Sequence, residues 1–74
     1  MSLSAEIKVI RKKAFLSQAE FAKELNVVYS TVNRWENDKG RPNPAAMKAI
    51  KEFCDKNSIS YVDLETAWIT ESIN

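Results

Sequence analysis

The sequence predicts an all-α fold: a compact bundle of five helices forming a single domain over residues 1–74. Three observations predict it. Proline is confined to Pro42 and Pro44 and glycine to Gly40, so helix breakers are few. No segment of useful length alternates apolar and polar residues with period two, whereas several repeat at helical spacing. Ser, Asn and Asp stand where helices must begin or end. A hydrophobic content of 45% with 28% charged residues fits a chain that folds around a core and not a disordered one. At 74 residues that core is small and the stability margin modest.

The first helix is expected from Ala5 to Lys13, with Ser4 as its N-cap and Ile7, Ile10 and Ala14 on one side. The second begins at "SQAE", a capping box in which Ser17 accepts from the Glu20 amide and the Glu20 side chain reaches back. Phe21 and Leu25 face the core one turn apart, and Asn26 takes a left-handed turn. The third helix runs from about Tyr29 to Asn37, followed by Asp38, a second left-handed candidate, and the stop signal "GRPNP". The fourth starts near Pro44 and ends near Lys56, with Ala46, Met47, Ala49, Ile50, Phe53 and Cys54 on its apolar side. The fifth, within about residues 60–70, runs from Tyr61 to Thr70. Ser60 and Asp63 resemble a capping box there, and Ile59 is placed to staple against Leu64.

The third helix is two-sided. At about 100° per residue, Tyr29, Ser30, Asn33, Arg34 and Asn37 cover one arc of roughly 140°, and Thr31, Val32 and Trp35 lie opposite. Five hydrogen-bonding side chains thus project together from a helix anchored by Val32 and Trp35. With the helix before it and the turn Asn26–Val28, this segment (about residues 17–37) forms a helix-turn-helix. Ala22 is the small residue needed where the two helices cross.

The stretch "LSQAEFAKELNVVYSTVNRWENDKGRP" resembles the helix-turn-helix of the phage-repressor, Cro and Xre class of transcriptional regulators, and the resemblance extends over roughly residues 4–56. It implies a lambda-repressor-like domain that binds specific double-stranded DNA with its third helix in the major groove. By that resemblance Tyr29, Ser30 and Arg34 touch base edges, with Asn33 as a fourth candidate. Gln18 grips a phosphate at the start of the second helix, where free amides and the helix dipole favour an anion. Ser17, Asn37, Lys39 and Arg41 match backbone-contacting positions. Arg11 and Glu36 match an ion pair that turns Arg11 toward the DNA; a plain surface pair is the other reading. The chain departs from the pattern at Asn26 and Asp38, both tolerable in left-handed conformations. It departs also at Phe15, where glycine is common, and at Val28, where Ser or Thr usually caps.

Charge distribution agrees with a nucleic-acid partner. Residues 1–41 hold eight Lys/Arg against five Asp/Glu, and residues 42–74 hold three against five. In the tail, Tyr61, Leu64 and Trp68 make one apolar stripe and Val62, Ile69 and Ile73 a second. The second stripe is the expected homodimer interface, unless the tail folds back and buries both. The expected function is therefore that of a repressor-like regulator occupying an operator as a dimer. The alternative is a protein-interaction adaptor, or an antitoxin-like protein whose tail binds a partner.

Other classes find little support. With no His and a single Cys, the chain offers no zinc site, and Cys54 reads as a small buried hydrophobe. No glycine-rich phosphate loop or convincing carboxylate pair is present, so no enzyme, cofactor or small-molecule ligand is expected. No apolar run suits a signal peptide or membrane span, and the expected location is the cytoplasm.

Overall fold

A computed structural model describes residues 2–71. Five helices follow one another: α1 (Leu3–Lys13), α2 (Gln18–Leu25), α3 (Tyr29–Glu36), α4 (Pro44–Lys56) and α5 (Val62–Glu71), with no strand among the described residues. α2 packs on α3 and α4, and α1 packs on α3 and α5. The core lies between them: Ile7 and Ile10 of α1, Phe21 and Leu25 of α2, Val32 and Trp35 of α3, Ile50, Phe53 and Cys54 of α4, Leu64 and Ala67 of α5. Phe21 meets Phe53 edge to face, with ring centroids 5.2 Å apart, which locks α2 onto α4.

Most boundaries follow their local chemistry. The capping box at α2 is complete, with Ser17 Oγ accepting from the Glu20 amide at 3.1 Å and Glu20 Oε1 accepting from the Ser17 amide at 2.8 Å. Asn26 and Asp38 both take left-handed backbone (φ 60°). Pro44 opens α4, and the Asn43 side chain accepts from the Ala46 amide at 2.8 Å.

Two ends differ from expectation. α1 starts at Leu3 with Ser2 as its cap, not at Ala5 with Ser4: Ser2 Oγ accepts from the Ala5 amide at 3.2 Å. Both serines are competent caps; burial of Leu3 in the core decides between them. α5 begins one residue later than expected, the Tyr61 carbonyl accepting from the Glu65 amide at 2.8 Å. The Ser60–Asp63 box does not form among the described residues, and Ser60 Oγ accepts instead from the Val62 amide at 3.4 Å.

α5 packs back on the bundle. Trp68 donates its indole N–H to the Pro42 carbonyl at 2.7 Å. The Leu3 amide, at the start of α1, donates to Glu71 Oε2 at 2.6 Å, a carboxylate meeting a helix N-terminus. Of the two apolar stripes only one is covered: Leu64 is buried and Tyr61 and Trp68 partly so, while Val62 and Ile69 stay 63% and 50% exposed. Ile73, the third member of the proposed interface, lies outside the described residues.

Cys54 is buried on α4. Burial pushes its thiol up to about 11, aided by the negative charge of Asp55 and opposed by Lys13. A thiol this far from ionising is a packing group.

Candidate nucleic-acid interface

α2 and α3 are joined by a turn built from backbone bonds. The Val27 amide donates to the Ala22 carbonyl at 2.9 Å across left-handed Asn26. Val28 then caps α3 by its backbone alone, its carbonyl accepting from the Thr31 amide at 3.0 Å, with no side-chain cap bond. The cost of an apolar cap is offset by position: Val32 and Trp35 sink into the core and fix α3 whatever happens at its first residue. The opposite face is thereby left outside, with Tyr29, Ser30, Arg34 and Asn37 all exposed and Asn33 half-buried.

A polar chain braces that face. Arg11 donates to both carboxylate oxygens of Glu36, Nε to Oε2 at 2.7 Å and Nη2 to Oε1 at 2.9 Å, and its Nη1 donates to the Leu16 carbonyl at 2.9 Å. Gln18 Nε2 donates to Glu36 Oε1 at 3.1 Å, and Asn33 Nδ2 donates to Gln18 Oε1 at 3.1 Å. Four residues from α1, α2 and α3 are thus linked in series, so the start of α2 and the outer face of α3 hold a fixed relation. Burial would raise the Glu36 carboxyl, but hydrogen bonds from Arg11 and Gln18 and the charges of Arg11 and Lys8 hold it below the ordinary carboxylate value. The same bonds hold the Arg11 guanidinium above its ordinary value, against the opposing pull of burial. At the α2 cap, the Ser17 amide and then its hydroxyl lower the Glu20 carboxyl.

The residues singled out from sequence fall into three groups. Tyr29 and Ser30 stand open at the start of α3, and Lys39 is exposed in the loop after it. A second group is steered by neighbours. Arg34 Nη2 donates to the Lys39 carbonyl at 3.1 Å, lying over Gly40, and Asn37 Nδ2 folds back on the Asn33 carbonyl at 2.8 Å. Asn33 and Gln18 hold each other, and Ser17 spends its hydroxyl on the α2 cap. The third group is committed elsewhere. Arg11 has a side chain only 13% exposed, locked in its bidentate pair. Arg41 stacks over the Trp68 ring at 4.7 Å and donates from Nη2 to the Trp68 carbonyl at 3.0 Å, tying the α3–α4 loop to α5.

Two residues at the site carried no assignment from sequence. Trp68 holds the loop that carries Lys39 and Arg41 through a carbonyl 26 residues away, which no periodicity signals. Phe15, where the chain departs from the common glycine, takes the left-handed conformation with its side chain in solvent.

Among the described residues no cluster of three or more His, Cys, Asp or Glu is arranged to hold a metal, and no helix is long and apolar enough to cross a membrane. Compared with known families, residues 7–62 match the helix-turn-helix family model. No curated protein and no solved structure gives a match.

Proposed function

The chain belongs to the helix-turn-helix family, in its Cro/C1-type, Xre-like form, and from that premise we propose that it is a repressor-like regulator reading a specific sequence of double-stranded DNA. The family is one of DNA-binding regulators, and the finer reading rests on one observation: α3 is anchored by Val32 and Trp35 while its outer face is braced by Asn33–Gln18–Glu36–Arg11. A face held this firmly is pre-ordered for a groove, so little ordering cost falls on binding. Tyr29, Ser30, Asn33 and Arg34 then meet base edges in the major groove. Ser17 and Gln18 at the α2 N-terminus, with Asn37 and Lys39 at the far end of α3, straddle the phosphates. Arg11 and Arg41 serve chiefly as braces, although an arginine has five N–H donors and each keeps some unused for a phosphate.

One short helix makes few contacts, and a single copy binds weakly and with little preference. Two copies related by a two-fold axis place their third helices in successive major grooves, about 34–36 Å apart. The side of α5 that carries the partly exposed Val62 and Ile69 is the proposed contact between them. A homodimer on a palindromic operator, acting in the cytoplasm without a cofactor, is the resulting picture.

Selection of bound sequences from a random duplex pool tests it. A palindromic consensus supports specificity and dimer binding together; recovery of the pool unchanged sinks both. A second reading, a partner-binding adaptor or antitoxin-like protein, is favoured by the apolar groove of about 210 Å³ between α4 and α5, lined by Met47, Tyr61, Leu64 and Trp68. Duplex binding that weakens steeply with salt decides for the DNA reading.

A further inference from the structure

Four non-glycine residues among those described adopt left-handed backbone: Asn26, Asp38, Ser58 and Phe15. The first three are small and polar, with Asn and Asp the types that visit this region most readily. Phe15 is bulky and apolar, and in that conformation its Cβ crowds the following carbonyl (φ 61°). The backbone conformation itself closes α1, the Phe15 amide donating to the Lys12 carbonyl at 3.0 Å and the Leu16 amide to the Arg11 carbonyl at 3.3 Å, a helix end that glycine serves best; it is the aromatic side chain that the fold does not use. The ring is 93% exposed, the most exposed of the large hydrophobic side chains. A bulky ring stands in water where glycine would close the helix at lower cost, so the side chain, and not the turn, is what calls for a partner.

Its surroundings indicate the partner. The Phe15 amide donates to the Lys12 carbonyl at 3.0 Å, and Lys12 and Lys13 are exposed beside it. The next residue, Leu16, has its carbonyl held by Arg11, the same side chain that grips Glu36. Ser17 and Gln18 follow directly at the α2 N-terminus, and three residues span at most about 11 Å. Gln18 in turn holds Asn33 on the outer face of α3. Phe15 therefore stands within about 11 Å of Gln18 at the α2 N-terminus, in a cationic setting that suits a polyanion.

We propose that Phe15 is a further DNA-contacting residue, its ring packing on the sugar edge of the nucleotide next to the phosphate received at the start of α2. This rests on the DNA-binding reading above. The contact is apolar, so it adds affinity without neutralising a phosphate.

Phe15→Gly tests the proposal, because the two roles of the residue move in opposite directions. Glycine accepts the left-handed conformation freely, so the variant melts higher than the parent. Its duplex affinity falls by about fivefold to tenfold, the factor expected from losing one buried face of a phenyl ring. The slope of log affinity against log salt stays unchanged, since no phosphate contact is lost. Phe15→Asn, also suited to this backbone, gives the same pattern. A higher melting point with unaltered duplex affinity overturns the proposal while leaving the DNA reading intact. A lower melting point overturns it too, by showing that the ring packs on the protein. If the parent chain itself fails to bind any duplex from the selected pool, the DNA reading falls and takes this contact with it.

Discussion

The α2–α3 unit and α5 are both helical and both touch the core, yet they are held in different ways. α2 and α3 are specified locally: a complete capping box, a left-handed Asn26, and two buried anchors, Val32 and Trp35, within one helix of eight residues. α5 buries only Leu64 and Ala67, and at its start Ser60 Oγ accepts from the Val62 amide at a long 3.4 Å. Besides packing on α1, α5 is tied in by long-range polar links: Trp68 to Pro42, Arg41 to Trp68, and Glu71 to the Leu3 amide. A helix fastened by a few separable contacts opens at lower free energy than one built into the core. The assigned DNA-reading surface thus rests on local capping and anchoring, whereas α5 rests more on links to distant parts of the chain.

The largest effect expected is one that erases the contrast. Trp35→Ala removes a buried aromatic that belongs to α3 but contacts the shared core, at a cost of about 3–5 kcal/mol. A domain of this size has little more stability than that. Circular dichroism should show most helicity lost at ambient temperature, α5 included. A variant that keeps near-normal helicity and an unchanged melt would place Trp35 outside the core and break the comparison at its firmer end.

Trp68→Phe sharpens it. The ring is kept, but the Pro42 carbonyl loses its donor and Arg41 a better cation–π partner, costing about 1–3 kcal/mol locally. Hydrogen exchange should accelerate in α5 and the Lys39–Asn43 loop while α2 and α3 amides keep their protection. Equal acceleration in all helices would mean that α5 is as integral as α3.

A smaller effect is expected in acid. The folded Glu36 carboxyl is held below its ordinary value of about 4.5, so the stability it contributes is fully present above that value and is lost as pH falls through the lower, folded one. Protonation there cuts the link from Arg11 to Gln18 and so loosens the α2–α3 side first. Thermal melts from pH 6 down to pH 3 should drop less in Glu36→Gln than in the parent, the remaining slope coming in part from Glu20. An identical acid limb in both proteins would show that Glu36 titrates normally.

The same division explains what could be read from sequence. The Ser17–Glu20 box, the left-handed Asn26 and Asp38, the Pro44 start and the two-sided α3 are all encoded within a few residues, where capping and periodicity rules apply. Leu3 outranking Ala5 as the start of α1 was not legible, because two serines fit the rule and only the core chooses. The outer face of α3 was visible as a face. That Asn33 would be held by Gln18, Arg34 by the Lys39 carbonyl and Arg41 by Trp68 was not, since each depends on how separate segments come together. Periodicity finds which side chains point outward; it does not show which of their donors are already used.

The smallest effect on the fold is expected from Ile69→Asp, and it probes what the looser region is for. Ile69 is half exposed on α5, so a carboxylate there remains largely hydrated and the melting temperature at low protein concentration should shift little. In a symmetric contact the same charge is brought against its own copy in an apolar setting, where both desolvation and like-charge repulsion oppose association. Sedimentation should therefore show a monomer where the parent dimerises, and operator affinity should fall while binding to random duplex, carried by each α3 and its flanking lysines, changes little. The pairing of those outcomes matters more than either alone. Loss of dimer with intact operator affinity would mean that one α3 suffices for recognition. Intact dimer would move the interface off the Val62–Ile69 side of α5, and a lower melting point in the monomer would show that Ile69 contributes to the core.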